Sequence, residues 1–238
     1  AQQTLQSWID EADRIVFFGG AGVSTESGIP DFRSADGLYS QKYKYPPEEI
    51  ISAPFFALHT KEFFDFYREK MLYLDAKPNA AHRKLFELEQ AGRLTGIVTQ
   101  NIDGLHRMAG NKLVFEVHGS VHRNFCVECG KEYDAQFIKN STGIPRCTEC
   151  GSCVKPDVVL YGESLPAPVV NGALRVISQA DVLIIAGTSL TVYPAAGFID
   201  SFHGREIVLI NRDKTPADSR ATLVLHEKVA EVMAGIRV

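Results

Sequence analysis

Four short apolar runs punctuate the chain: RIVFFGG (14–20), GIVTQNID (96–103), DVLIIAGTS (181–189) and EIVLINRD (206–213). Each is built of β-branched, leucine or aromatic residues with little polar alternation, the pattern of a strand covered on both faces. Each closes on glycine or small polar residues. Between them the spacing changes. AAHRKLFELEQAG (80–92) sets Ala81, Leu85 and Leu88 at helical intervals and stops at Gly92, a C-cap. PVVNGALRVISQA (168–180) also predicts an amphipathic helix. Strand and helix in alternation predict an α/β protein with a parallel sheet and right-handed crossovers.

Two stretches break the alternation. Residues 34–78 are rich in Tyr and Phe, carry Pro46, Pro47 and Pro54 as breakers, and predict a helical insertion that starts in a loop and includes KEFFDFYREKML (61–72). Residues 122–153 hold every cysteine of the chain. In parallel α/β sheets ligands bind beyond the carboxyl ends of the strands. The polar groups to watch are therefore Gly20-Ala21-Gly22, Gln100-Asn101-Ile102-Asp103, Gly187-Thr188-Ser189 and Asn211, four clusters remote in sequence that this fold brings together.

GGAGVSTESGIPDFR (19–33) opens like a strand-to-helix phosphate loop, but Thr25 stands where the usual dinucleotide fingerprint has its third glycine. At 98–106, VTQNIDGLH runs an apolar strand directly into Gln100, Asn101 and Asp103, with His106 close behind. Turn chemistry accounts for one or two of these residues. An amide pair with an acid also suits a carboxamide and a sugar hydroxyl. In VHGSVH (117–122), His118 is open to two readings, a satisfied structural imidazole or a general base. His122 adjoins the cysteines and has the structural reading, as do His59, His82, His203 and His226. Thr188 and Ser189 can donate to a phosphate, Asn211 can meet a ribose, and Pro194 suits the first turn of a helix. Strand-end turn chemistry explains these residues equally well.

The 238 residues are enough for one large domain, or one with a small companion, and for a full core. Hydrophobic residues make up 45% and charged residues 23%, as in an ordinary globular chain. The net charge of −4 and a pI near 6.0 argue against a nucleic-acid binder. No apolar run reaches the roughly 18–20 residues that span a bilayer, and the first residues lack the features of a secretion signal. The chain reads as soluble and cytoplasmic, with no membrane partner.

Five cysteines occupy 126, 129, 147, 150 and 153. Cys126-x2-Cys129 and Cys147-x2-Cys150, separated by seventeen residues (130–146), have the spacing of a four-thiolate zinc ribbon. Four protein ligands leave no open coordination position, so such a zinc is structural. Cys153 is spare, or replaces Cys150 in a less well spaced set. Zinc ribbons also occur as nucleic-acid-binding modules, and that reading stays open beside an enzyme.

The set GAGVSTESGIPDFR, TQNIDGLH, VHG, two C-x2-C pairs, KPDVVLYGES, GTSLTVYPAA and LINRD, in that order, resembles the sirtuins, the NAD-dependent protein deacylases, over about residues 12–233. The overall look is that of bacterial and archaeal members. The resemblance implies a Rossmann-like NAD-binding domain formed by 1–33, 79–120 and 156–238. It also implies a smaller part made of a helical insertion with the cofactor loop (34–78) and a zinc-ribbon module (121–155). The missing third glycine is a trait of that family, and NAD is consumed as a co-substrate.

Residue by residue, the resemblance implies that Gly20, Ala21 and Gly22 lie close to the phosphates. Asp31, Phe32 and Arg33 belong to a mobile loop over the nicotinamide half. Asn101 and Asp103 hold the carboxamide, Gln100 the adjoining ribose. Gly187, Thr188, Ser189, Asn211, Lys228 and Val229 hold the adenosine half. An acetyl-lysine protein or peptide pairs as a strand between Gly162-Glu163-Ser164 and Thr191-Val192-Tyr193, with Val159 and Phe32 at the acyl end. His118 acts as general base on a ribose hydroxyl. Cys126, Cys129, Cys147 and Cys150 hold one structural zinc. The products are nicotinamide, acyl-ADP-ribose and free lysine.

Some sirtuins that favour succinyl groups carry a Tyr-x-x-Arg pair. The nearest approach here is Tyr67-x-x-Lys70, and an ammonium cannot fork onto a carboxylate, so acetyl is expected over succinyl. An ADP-ribosyltransferase of the same family breaks the same bond and remains the alternative. A conventional NAD dehydrogenase would usually show the full glycine fingerprint and an acid about twenty residues further on.

Overall fold

The computed structural model of the chain describes residues 1–33, 37–40 and 43–238. Positions 34–36 and 41–42 of the expected insertion lie outside the described residues. Nine strands are described: β1 (Ile15–Gly19), β2 (Leu94–Thr99), β3 (Val114–Glu116), β4 (Gly119–Cys126), β5 (Glu132–Tyr133), β6 (Val154–Val158), β7 (Val182–Ala186), β8 (Glu206–Ile210) and β9 (Leu223–Leu225). The helices are α1 (Gln2–Glu11), α2 (Pro47–Ile50), α3 (Ala53–Leu58), α4 (Thr60–Lys70), α5 (Ala80–Gln90), α6 (Leu105–Ala109), α7 (Ala135–Asn140), α8 (Ala167–Ser178) and α9 (Val229–Ala234).

Six strands form one sheet in the order β3-β2-β1-β7-β8-β9, with every pairing parallel. Counting only those strands, this is the doubly wound order 3-2-1-4-5-6, whose direction reverses between β1 and β7. Alternation sorts the strands onto two faces. Ile15 and Phe17 of β1, with Ile97, Ile184 and Val208, pack under α1, α5 and α9 through Leu5, Ile9, Leu85, Leu88 and Met233. Val16 and Phe18, with Val98, Leu183 and Leu209, pack against Ala173 and Ile177 of α8 and against Phe198 and Ile199. With both faces covered, these strands are apolar throughout, and this is why they stood out as unbroken runs.

The four expected strands are present, each trimmed at its carboxyl end. The second ends at Thr99: the Gln100 N–H still donates to the Gly19 carbonyl at 2.9 Å, the Asn101 N–H turns to the Thr99 hydroxyl at 3.0 Å, and the Gln100, Asn101 and Asp103 side chains engage neighbouring loops. Two further strands, β3 and β9, are only three residues long. The polar α1 was not expected either. It buries only Leu5, Gln6 and Ile9. Pro194 sits just before a 3-10 turn over Ala195–Ser201, one step earlier than its expected place inside the first turn of a helix.

The smaller sheet is antiparallel, β5-β4-β6. Its core is shared with the helical insertion. Phe55, Phe63, Phe64 and Tyr67 of α3 and α4 pack with Val121, Cys126, Ile138, Cys147 and Val154 in one cluster. Arg68 adds a polar tie, donating to the Ser141 hydroxyl at 3.0 Å and the Gly143 carbonyl at 2.7 Å.

A capping box starts α5. The Asn79 side chain accepts from the Ala81 N–H at 2.9 Å, and His82 Nδ1 accepts from the Asn79 N–H at 3.2 Å. The His82 ring lies 4.7 Å from that of His106 in α6, and both residues are buried. His82 Nε2 and both His106 nitrogens have no hydrogen-bond partner among the described residues. Burial depresses the His82 imidazole to about 4 and holds His106 well below its usual range.

Both groups therefore stay neutral when folded, whereas the unfolded chain takes up their protons below about pH 6.5. Stability is expected to be insensitive to these two groups above pH 6.5. It should fall from there toward about pH 4, by up to about 1.4 kcal/mol per pH unit for each histidine. Denaturant melts at pH 7, 6 and 5 check this. His106→Leu should flatten the slope relative to the parent, and an unchanged slope would contradict it.

Candidate active site

The loops after β1 and β7 touch at the point where the strand order reverses. A Cβ added at Gly20 would lie 2.8 Å from both the Gly187 carbonyl oxygen and Thr188 Cβ, and one at Gly22 would lie 2.8 Å from Gly187 Cα. The Gly22 N–H donates to the Gly187 carbonyl at 2.8 Å. These glycines allow two loops to close on each other, whatever they also allow a ligand to do. Thr25, at the place of the missing third glycine, donates its hydroxyl to the Gly22 carbonyl at 3.1 Å.

Ser24, which the sequence reading left out of its site, ties this loop to the end of β2. It is almost fully buried. Its hydroxyl donates to Asp103 Oδ2 at 2.6 Å and accepts from Asn101 Nδ2 at 3.2 Å. Asn101 Nδ2 also donates to the Gly20 carbonyl at 3.0 Å, and Asp103 Oδ1 accepts from the Leu105 N–H at 2.9 Å. Burial pushes the Asp103 carboxyl up, while the bonds from Ser24 and Leu105 pull it back. Gln100 Nε2 donates to the Thr188 hydroxyl at 2.9 Å, joining the ends of β2 and β7.

His118 stands between β3 and β4. Its Nδ1 lies 3.0 Å from the Gln100 carbonyl oxygen. A carbonyl only accepts, so Nδ1 carries the proton and Nε2 is left as the basic nitrogen. Burial lowers the His118 imidazole, with the bond to Gln100 opposing the shift. His122 is elsewhere, with Nε2 3.0 Å from the Asp103 carbonyl, and His106 is buried away from any opening.

Ser24, Gln100, Asn101, Asp103, His118 and the paired glycine loops face one cavity of about 590 Å³. Gly20, Ala21, Gly22, Asp31, Phe32, Arg33, Gln100, Asn101, Asp103 and His118 line it. So do Val159, Gly162, Glu163, Gly187, Thr188, Ser189, Val192, Tyr193, Asn211, Lys228 and Val229. Ser164 and Thr191 are not among its lining residues. Several side chains are already engaged. Ser189 Oγ lies 2.8 Å from Thr191 Oγ1, Asn211 Nδ2 donates to the Asp213 carbonyl at 2.8 Å, and Lys228 pairs with Glu231 at 3.2 Å. Glu163 turns its carboxylate back to the Leu160 N–H at 2.9 Å, which fixes the 160–163 turn. Sequence reasoning also missed Glu26 and Arg212 on the wall. Glu26 Oε2 accepts from the Ala230 N–H in α9, and Arg212 lies 3.7 Å from the Asp31 carboxylate. No local pattern marks either residue.

The Tyr67-x-x-Lys70 pair does not form a unit. Tyr67 is fully buried in the aromatic core and is not among the lining residues, whereas Lys70 lines the cavity. The Lys70 ammonium is 3.0 Å from the Glu69 carboxylate and 5.8 Å from the centre of the Tyr43 ring.

The sulfurs of Cys126, Cys129, Cys147 and Cys150 all lie within 4.8 Å of one another, with Cys126 and Cys150 3.3 Å apart and Cys129 and Cys147 3.6 Å apart. Zinc at about 2.3 Å from each of four tetrahedral sulfurs would set them about 3.8 Å apart, so the four thiols fit one structural zinc. Cys153 lies outside this group, so the sulfur positions favour Cys150 over Cys153 as the fourth ligand. The Tyr133 hydroxyl donates to Cys147 Sγ at 3.2 Å and brings that thiol down to about 6. None of the four cysteines lines the cavity.

A model of the Sir2 family matches residues 20–194. The chain belongs to the Sir2 family. This Sir2 chain is 54% identical over 232 residues to an NAD-dependent protein deacetylase of Clostridium acetobutylicum, covering 96% of this chain and 95% of the relative. It is 49% identical to an NAD-dependent protein deacetylase of Cutibacterium acnes, covering 99% and 97%. Among solved structures, a Sir2 protein with a p53 peptide and NAD+ superposes with a TM-score of 0.87 at 38% identity, covering 98% of this chain and 95% of that one. Another, a Sir2 protein bound to acetylated peptide, gives 0.86 at 36% identity, covering 98% and 95%. No helix among the described residues is long and apolar enough to cross a membrane.

Because Cys126 and Cys147 belong to the core shared with α3 and α4, removing the metal is expected to loosen the helical layer too. Cys147→Ala should reduce zinc from one per chain to none and cost several kcal/mol of stability, on the order of what structural thiolate sites supply. Cys153→Ala should keep the metal. Metal analysis with thermal melting checks both, and full zinc content in Cys147→Ala would contradict the ligand set.

Proposed function

We infer that this Sir2 chain is an NAD-dependent protein lysine deacetylase, releasing nicotinamide, acyl-ADP-ribose and free lysine. The observation that carries the reading is the single cavity that joins a loop contact suited to a diphosphate, a buried amide and acid, and an imidazole with a free basic nitrogen. NAD lies along the carboxyl ends of β1, β7 and β8, its adenosine half toward Asn211, Lys228 and Val229 and its nicotinamide toward Asn101 and Asp103. The acetyl-lysine peptide adds its main chain between Gly162-Glu163 and Val192-Tyr193, and Val159 and Phe32 enclose the acyl end.

The acyl oxygen attacks the ribose carbon as nicotinamide leaves. Positive charge develops on the ribose, so neutral amides at Gln100 and Asn101 suit it. His118 Nε2 then takes the proton of a ribose hydroxyl, whose oxygen attacks the imidate carbon. Addition of one water completes release of the lysine amine. The bond from Nδ1 to the Gln100 carbonyl fixes the tautomer this step needs. Zinc would hold the ribbon through its four cysteines and supply no chemistry to the cavity. Five cysteines with no disulfide among them fit a reducing compartment, and we place the protein in the cytoplasm.

Incubation with NAD and an acetyl-lysine peptide tests the reading. Nicotinamide and deacetylated peptide should appear together, and His118→Ala should lower kcat on the order of 100-fold or more with fold and zinc content intact. Label moving from NAD onto protein, without deacetylation, would favour the ADP-ribosyltransferase alternative.

Two further outcomes follow from the cavity. Burial keeps His118 neutral below its usual range, so the acid limb of the kcat/KM profile should fall below pH 6.5, and a limb at pH 7 or above would contradict it. Acetyl-lysine peptides should be cleaved faster than succinyl ones, on the order of tenfold in kcat/KM, because Lys70 is held by Glu69 and Tyr67 faces the core. Equal or faster succinyl turnover would overturn that preference.

A further inference from the structure

Tyr39 and Tyr161 both line the cavity, from segments remote in sequence, and their hydroxyl oxygens lie 3.1 Å apart. Each tyrosine is anchored to a different part of the proposed site. On one side, the Leu38 N–H donates to the Asp31 carbonyl and the Tyr39 N–H to the Phe32 carbonyl, both at 2.8 Å. The Tyr39 ring packs 5.5 Å from that of Phe32, and the Arg33 guanidinium lies over it at 5.5 Å. Tyr39 thus braces Phe32 and Arg33, and its neighbour Leu38 holds Asp31, the three residues assigned to the cofactor loop.

On the other side, the Tyr161 N–H donates to the Ile51 carbonyl at 3.0 Å, and its own carbonyl accepts from the Ala53 N–H at 2.9 Å. Tyr161 directly precedes Gly162-Glu163, the edge assigned to the peptide. Its position is therefore fixed by the helical layer. Tyr161 is 39% exposed, so burial alone does not hold its side chain in place.

We propose that the Tyr39–Tyr161 hydroxyl pair fastens the cofactor loop to the peptide-binding segment, making both tyrosines positioning residues for NAD. The proposal rests on the deacetylase reading of the cavity. Neither hydroxyl is required to touch a reacting atom. Their contribution is to hold Phe32 and Arg33 over the nicotinamide half, and a phenylalanine at either place keeps the ring packing while deleting the link.

The test compares the parent with Tyr39→Phe, Tyr161→Phe and the double variant. It measures calorimetric Kd for NAD without peptide and the full kinetic parameters with NAD and acetyl-lysine peptide. Each single variant should raise Kd and KM for NAD roughly three- to tenfold, as the loss of one hydrogen bond allows, while kcat stays within about twofold. Both singles break the same bond, so the double variant should be no worse than either. Thermal melts and zinc content report separately on folding, and a change in stability alone does not split KM from kcat. Unchanged NAD affinity in either single variant, or effects that multiply in the double, would overturn the link. A parent that binds NAD but deacetylates nothing would instead sink the deacetylase reading, and the binding constants would still judge the tyrosine pair.

Discussion

The fit of Gly20 and Gly22 against Gly187 and Thr188 is the constraint on which the site depends. β1 and β7 lie side by side where the strand order reverses, so the chain leaves them in opposite directions and a crevice opens beyond their ends. A side chain at either glycine would overlap the neighbouring backbone and push the two loops apart. The end of β2 then bonds to both of the loops so closed, Gln100 to Thr188 and Asn101 to Gly20 and Ser24.

A second consequence follows from how the end of β2 is used. Its first loop residue gives its carbonyl to His118 and its amide to Thr188, and the next residues give Asn101 and Asp103 to Ser24. The proposed base and the proposed nicotinamide pocket are thus set by one stretch of backbone. Displacing that stretch would alter proton transfer and leaving-group binding together, although the side chains involved are far apart in sequence.

Much of this was legible in advance because it is local. Unbroken apolar runs mark strands buried on both faces, and paired C-x2-C spacing marks a thiolate cage, since each turn must present two sulfurs to one ion. What escaped notice has a common cause. β3 and β9 are too short to show a period, and α1 shows few apolar positions on a polar background. Ser24 and Glu26 look like ordinary turn residues until tertiary structure supplies their partners in Asp103 and the start of α9. The Tyr39–Tyr161 contact joins positions 122 apart. Where a residue's role was assigned from the end of a strand, as with Gln100 and Asp103, the topology itself had placed it in the crevice.

The aromatic layer of α3 and α4 and the thiolate ribbon share one set of buried side chains, with Arg68 clasping their outer edge. They consequently have no seam along which to slip past each other. Any widening of the crevice would have to carry both as a single rigid lobe, with the bending confined to the few strands of chain that join it to the large sheet. Affinity for the ion, measured far from the proposed reaction, would then gauge the integrity of the wall proposed to meet the substrate.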